Sequence, residues 1–250
     1  MRALAAIGLL AALGLLAGCA ARGAWSLAQG QNPQSFKRTV TLQIEGRLLL
    51  FLPAGFQMHG KTRYPLLIFL HGSGEVGNDL EKLKVYGPPK IVGSRPDFPF
   101  IVASPQSPQN AIRGFDPLML SAMLDELIER LPIDTDRVYV TGLSMGGIWS
   151  YGWASMHPER FAAIVPISGA WDPADACMLK DVPIWAFHGA KDNVVPIARD
   201  QAMADAVRAC GGDIRFTVYP DTGHDAWTAA YGNPELFTWL LMHRRKSSTR

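Results

Sequence analysis

The stretch Val138-Tyr139-Val140-Thr141-Gly142-Leu143-Ser144-Met145-Gly146-Gly147, continued by Ile148 to Met156, changes character in its middle. Val138 to Val140 has the β-branched and aromatic composition of a strand. Ile148 to Met156 is apolar nearly all round and stops at His157-Pro158, as expected of a central, buried helix. Between them lies Gly142-Leu143-Ser144-Met145-Gly146, a Gly-x-Ser-x-Gly sequence in a strand, turn and helix setting. There the serine occupies a sharp, strained turn with its hydroxyl exposed above a sheet, and the glycines leave room where a side chain would collide. An incidental serine in a glycine-rich turn is the plain alternative, and the setting argues against it.

Working outward, short β-rich runs alternate with longer segments of helical period, the pattern of an α/β protein with a mostly parallel central sheet and helices on both faces. Thr39 to Ile44 and Arg47 to Leu52, joined at Glu45-Gly46, read as an opening hairpin. Leu66 to Leu70 reads as a strand buried on both faces, and Phe100 to Ser104 as the next. Asp116-Pro117 offers an N-cap followed by proline at the first helical position, and apolar residues at helical spacing continue to Leu131. Ala162 to Ile167, Ile184 to Phe187 and Ile214 to Tyr219 are further strands. Ile197 to Ala209 reads as a helix closed by Gly211-Gly212, and a final helix begins at Leu236. Nothing repeats, and there is no second core.

The chain has 250 residues, 48% of them apolar, and a formal charge of +2 with no long run of either sign. One α/β domain accommodates this, and nucleic-acid binding has no support. Arg2, the apolar run Ala3 to Ala17 and the sequence Leu16-Ala17-Gly18-Cys19 resemble a bacterial lipoprotein signal, in which the cysteine becomes the lipidated first residue. The run is shorter than the roughly 20 residues of a membrane-spanning helix. We therefore expect a signal peptide over 1–18, a lipid-anchored flexible tether over 19–35 and a catalytic domain over 36–250. Such a chain is exported and held at the cell envelope by a membrane anchor at Cys19, the tether reaching roughly 20 Å. Two cysteines remain. Cys210 falls on the apolar face Met203, Ala206, Val207 and is accounted for as a buried thiol; a bridge to Cys177 is the alternative.

A serine hydroxyl needs a base, and the base needs an orienting group. In this strand-turn-helix setting the order along the chain is nucleophile, acid, base. Among the downstream histidines, His157 and His243 fall at helix ends or in the charged tail, and His188 ends a strand as a packed, hydrogen-bonded residue. His224, in the turn directly after the last strand, is the candidate base, since loops at the carboxyl ends of strands collect the site. Asp192, also past a strand end, is the candidate acid, with Asp172 the runner-up; Asp221 and Asp225 read as turn caps. The backbone N–H of Met145 is one expected oxyanion donor. Ser73, in His71-Gly72-Ser73-Gly74-Glu75, is the other, with Gly72 next. Trp171, Trp227 and Tyr86 are candidate substrate-binding residues, although such aromatics are more often packing. No metal-ligand cluster, phosphate loop or dinucleotide fingerprint appears, so no cofactor and no metal is expected.

His71 to Asn78, Val85 to Lys90, Phe98 to Gln106, Gly142 to Gly147, Pro158 to Gly169, His188 to Pro196 and Tyr219 to Trp227 together resemble one family. It comprises exported bacterial α/β-hydrolases of the predicted peptidase or phospholipase/carboxylesterase-like group, related to polyhydroxybutyrate depolymerases and to feruloyl and acetyl xylan esterases. The resemblance runs from about Lys61 to Leu240 and implies the α/β-hydrolase fold, a triad at Ser144, Asp192 and His224, and ester substrates. One departure is Ile148 to Tyr151, where the family carries a Gly-Thr-Trp type sequence. Too few residues lie between Ser168 and Val182 for a lid domain, so an open site is expected, suited to a bulky or polymeric, carbohydrate-linked ester. Acyl transfer, amide cleavage and ligand binding on a catalytically silent fold are the competing readings.

Overall fold

The computed structural model describes residues 41–109 and 114–245. The chain divides into two units, Met1–Gln43 and Ile44–Arg250. The signal segment, the tether and Cys19 lie outside the described residues.

Among the described residues of the second unit, seven strands form one sheet. They are β1 (Arg47–Phe51), β2 (Tyr64–Leu70), β3 (Ile101–Gln106), β4 (Ile133–Leu143), β5 (Ala163–Ile167), β6 (Ile184–Gly189) and β7 (Ile214–Tyr219). Their order across the sheet is β1-β3-β2-β4-β5-β6-β7. Only β1 runs antiparallel; every other neighbouring pair is parallel. The helices are α1 (Gly87–Val92), α2 (Pro117–Arg130), α3 (Met145–Met156), α4 (Ile197–Ala209), α5 (Trp227–Gly232) and α6 (Glu235–Met242). They cover both faces of the sheet. One apolar layer joins Leu66, Ile68 and Val140 to Tyr151, Trp153 and Met203, and the other joins Leu67, Phe69 and Val165 to Tyr231, Leu236 and Leu240. This is the α/β-hydrolase architecture expected from the alternation of strand and helix periods.

The strand order places the site. After β2 the chain pairs β3 on one side, then crosses back to lay β4 on the other side of β2. The carboxyl ends of β2 and β4 therefore flank a topological switch point, where open α/β sheets form a crevice.

Three expectations change. The opening hairpin does not form: residues 41–46 carry no strand, and Arg47–Phe51 pairs with β3 instead. β4 is much longer than the Val138 to Val140 run, because Ile133 already pairs with Tyr64 of β2. Finally, Cys177 and Cys210 are joined by a disulfide, their Cα atoms 5.2 Å apart. Cys210 ends α4 half-exposed and bonded, rather than sitting in the core as a free thiol.

Candidate active site

Ser144 links β4 to α3 with φ 51° and ψ −115°. A residue with a side chain in that region carries strain on the order of 1–3 kcal/mol, sustained only where the surroundings over-determine it. They do so here. The Ser144 N–H donates to the Ile167 carbonyl of β5 at 2.9 Å, and the Ser144 carbonyl accepts from Ile148 at 2.9 Å. A Cβ at Gly146 would lie 1.8 Å from the Leu70 carbonyl oxygen, so the first turn of α3 rests on the end of β2. The hydroxyl is left half-exposed at the crevice.

Three side chains meet there. Ser144 Oγ lies 2.8 Å from His224 Nε2, and His224 Nδ1 lies 2.7 Å from Asp192 Oδ2. His224 sits on the loop after β7, and its carbonyl accepts from Ser168 Oγ at 2.8 Å. Ser168, at the end of β5, is itself left-handed with φ 49°. The Asp192 side chain is fully buried, and its Oδ1 accepts from the N–H groups of Val194 and Val195 at 2.9 Å each. Burial pushes this carboxyl upward, but the His224 hydrogen bond and the two backbone donors outweigh it and hold Asp192 below the usual carboxylate range. The two loops meet backbone to backbone: a Cβ at Gly189 would stand 2.0 Å from the Gly223 carbonyl oxygen.

Across the crevice, His71 to Glu75 follows β2. His71 Nδ1 lies 2.6 Å from the Gly72 carbonyl, and Nε2 lies 2.9 Å from the Ser107 N–H. A carbonyl only accepts and an amide only donates, so the ring is neutral with its proton on Nδ1. Burial lowers its pKa in agreement. His71 thus pins the loop to the end of β3. Glu75 is half-buried beside Gly72; burial raises its pKa, against the Gly72 backbone, which favours the ionised form. Gly72 is buried, whereas Ser73, at the start of the turn Ser73–Glu75, is turned to solvent. Met145 opens α3, where the first N–H groups have no acceptor within the helix.

The set-aside acids have other duties. Asp172 caps the 3-10 segment Pro173–Leu179 through Ala174 N–H, Asp225 accepts from Thr228 in the first turn of α5, and Asp221 pairs with Lys191 in solvent. His157 and His243 stand at the ends of α3 and α6. His188, at the end of β6, is buried beneath Asp192, with Nε2 3.2 Å from Asp192 Oδ2.

The aromatic candidates flank the triad on opposite faces of the sheet. Trp227 meets the His224 ring edge to face at 5.1 Å and the Tyr86 ring at 5.9 Å, and both line a groove with Lys90 and Thr228. Trp171 packs on Gly152 of α3 and on Trp149 and donates to Asp175 at 2.8 Å. Its exposed edge lines a second groove with Ile148, Pro173 and Arg199. Between β5 and β6 there is only the segment Pro173–Leu179, and no lid is inserted there.

The phospholipase/carboxylesterase family model matches residues 98–233, more than half the chain. The chain belongs to the phospholipase/carboxylesterase family. Among solved structures, this family member resembles a thermostable esterase with a TM-score of 0.67 and 30% identity, over 79% of this chain and 59% of that one. A ferulic acid esterase shares the fold, with a TM-score of 0.58 at 19% identity, over 78% of this chain and 90% of that one. By sequence, the chain is 28% identical to feruloyl esterase D of Neurospora crassa over 67% of its own length and 61% of the relative's. It is 35% identical to a bifunctional acetylxylan esterase/xylanase of Neocallimastix patriciarum over 32% of its own length and 12% of that protein's. The chain thus spans less than two thirds of these curated relatives.

His71, Ser168 and His188 belong to the site's framework and were not singled out as such by the sequence. For His71 the signal was its position directly after a buried strand. For Ser168 the partner, His224, lies 56 residues away and no local pattern points to it, whereas His188, read from the sequence as a packed, hydrogen-bonded residue, finds its partners nearby at Asp192, Val195 and Asp200.

Proposed function

We propose that this domain hydrolyses carboxylic esters through an acyl-enzyme, with Ser144 as nucleophile, His224 as general base and acid, and Asp192 as the group that orients His224. The unbroken hydrogen-bonded path from Ser144 Oγ through His224 to Asp192 carries this reading. Ser144 passes its proton to His224 Nε2 as Oγ bonds to the substrate carbonyl carbon. The N–H groups of Met145 and Ser73 receive the oxyanion. His224 returns the proton to the departing alkoxide, the C–O bond breaks, and water then releases the acid by the same two transfers. The exposure of Ser73 at the crevice, against the burial of Gly72, favours Ser73 as the second donor.

The unlidded crevice and its two aromatic grooves suit an ester of a bulky acid or alcohol, carbohydrate-linked esters included; the names of the feruloyl and acetylxylan esterase relatives favour the same class. The lipoprotein-like sequence ending at Cys19 supports export and a lipid anchor that keeps the domain at the envelope membrane. Labelling of the protein by a fluorophosphonate, lost in Ser144→Ala, tests the nucleophile. A folded wild-type protein that does not label would favour a binding role instead. Incorporation of labelled palmitate, lost in Cys19→Ser, tests the anchor. Unchanged relative rates across acyl groups in Trp227→Ala would remove Trp227 from substrate recognition.

A further inference from the structure

Behind the triad the polar chain continues into the core. His188, Asp192 and Asp200 all have fully buried side chains. His188 Nε2 faces two acceptors, the Val195 carbonyl at 2.8 Å and Asp192 Oδ2 at 3.2 Å. Since neither can donate to the ring, Nε2 carries a proton. His188 Nδ1 faces Asp200 Oδ2 at 2.8 Å, and Asp200 Oδ1 accepts from the Tyr151 hydroxyl of α3 at 2.9 Å. Helix α4 delivers Asp200, β6 delivers His188, and the loop between them delivers Asp192.

We propose that His188 is a positioning residue held as an imidazolium between Asp192 and Asp200, which fixes Asp192 Oδ2 for His224 and offsets part of the Asp192 charge. Two buried carboxylates without a cation between them would face a large desolvation penalty and repel each other. One imidazolium donating at both nitrogens satisfies both. Burial alone would lower the His188 pKa, but the Asp200 hydrogen bond and charge, the Val195 carbonyl and the Asp192 charge outweigh it and raise the pKa. Burial also raises the Asp200 pKa, against the His188 hydrogen bond and charge and the Tyr151 hydroxyl. His188 and Asp200 therefore compete for one proton, and the Val195 carbonyl and the Asp192 charge, which act on His188, assign it to the ring. The titratable groups paired with this ring are Asp192, Asp200 and, through Asp200, Tyr151; His224 lies beyond Asp192. The path therefore runs Tyr151, Asp200, His188, Asp192, His224, Ser144. Its kinetic consequences rest on the esterase reading, whereas the charge state of His188 does not.

Two measurements test the proposal. In protein labelled with nitrogen-15 at histidine, the His188 ring is expected to show both nitrogens protonated from pH 6 to pH 8; a neutral ring at pH 7 would overturn the proposal, whatever the protein's activity. In His188→Gln, kcat is expected to fall about tenfold with KM nearly unchanged, while the acid limb of kcat/KM moves up by about half a pH unit or more. That direction follows because removing the nearer positive charge lets Asp192 hold the His224 proton to higher pH. Tyr151→Phe, which takes one donor from Asp200, should shift the limb the same way by less. An acid limb that stays in place or moves down in a folded His188→Gln protein would refute the positioning role, since loss of packing alone leaves that pH profile unmoved. If His188→Gln does not fold, the ring spectra and Tyr151→Phe decide. A protein showing the doubly protonated ring but no fluorophosphonate labelling would retire the esterase reading and leave the imidazolium in place.

Discussion

Replacing Asp192 by Asn tests the triad most sharply, because the structure dictates how the new amide must lie. Oδ1 of Asp192 is clamped by the Val194 and Val195 N–H groups at 2.9 Å each. If the amide NH2 took that place, two backbone donors would face a donor, so the Asn oxygen stays there and the NH2 group points at His224 Nδ1. In the native protein Nδ1–H donates to Asp192 Oδ2 at 2.7 Å. Opposite an NH2 group, Nδ1 must accept, which moves the imidazole proton to Nε2, where it can no longer take the proton of Ser144. The NH2 group also comes up against the proton on His188 Nε2, now 3.2 Å from Asp192 Oδ2. A wrong tautomer in an otherwise intact triad costs about 10⁴ in kcat, or roughly 5.4 kcal/mol at 1.36 kcal/mol per decade. Steady-state hydrolysis of p-nitrophenyl acetate gives kcat, and a thermal melt checks that the fold is intact. A folded Asp192→Asn protein keeping more than about a tenth of wild-type kcat would refute the geometry argued here.

Ser144→Ala and His224→Ala should each lower kcat by about 10⁴ to 10⁶, more than Asp192→Asn does, and combining them should add little. Gly189→Ala drives a methyl group toward the carbonyl oxygens of Gly223 and Thr222, at 2.0 and 2.4 Å, and should destabilise by about 1–3 kcal/mol; a melt unchanged from wild type would count against that contact. The Cys177–Cys210 bridge closes a segment with a sequence separation of 33, so Cys177→Ser with Cys210→Ser should cost about 3.7 kcal/mol in urea unfolding; a reductant-insensitive wild-type midpoint would argue that the bridge contributes nothing. His71 and His188 pull stability in opposite directions on the two sides of pH 6.5, the ordinary histidine value. Below it, the unfolded chain binds a proton that the lowered pKa of buried His71 refuses, so stability falls with pH. Above it, the raised pKa of His188 means the folded state keeps a proton the unfolded chain has lost, so its stabilisation fades as pH rises. Asp192, whose pKa is lowered, adds a second loss of stability below the ordinary aspartate value of 3.8. Urea midpoints from pH 3 to 9 check both limbs, and a midpoint still rising from pH 7 to 9 would contradict the His188 assignment.

Much of the architecture was legible because local periodicity and burial agree. Leu66 to Leu70 is apolar throughout and buried, the Asp116-Pro117 cap opens α2 with the aspartate accepting from Leu118, and Ile197 to Ala209 and Ile214 to Tyr219 hold to the residue. The hairpin failed because the apolar run after Arg47 specifies a strand without specifying its partner, and the partner is the distant β3. The disulfide was undecided because proximity of Cys177 and Cys210 depends on how α4 packs against Pro173–Leu179. Ser144, Asp192 and His224 could be ordered from strand ends alone. Asp200 could not: it lies in a polar helix, and its burial against His188 and Tyr151 is purely tertiary.

The disulfide also bears on what enters the groove beside Trp171. One wall of that groove, Trp171 to Pro173, leads into the segment that carries Cys177; the other, Arg199 and Ala202, is on the helix that ends at Cys210. The bridge therefore ties the two walls of the groove to each other. A guest entering it meets little ordering penalty, and a guest too wide gains nothing from induced opening. Were the groove to receive part of an ester substrate, as proposed above, its selectivity would be set by girth, and reducing the bridge would broaden the range of guests accepted while weakening the hold on each.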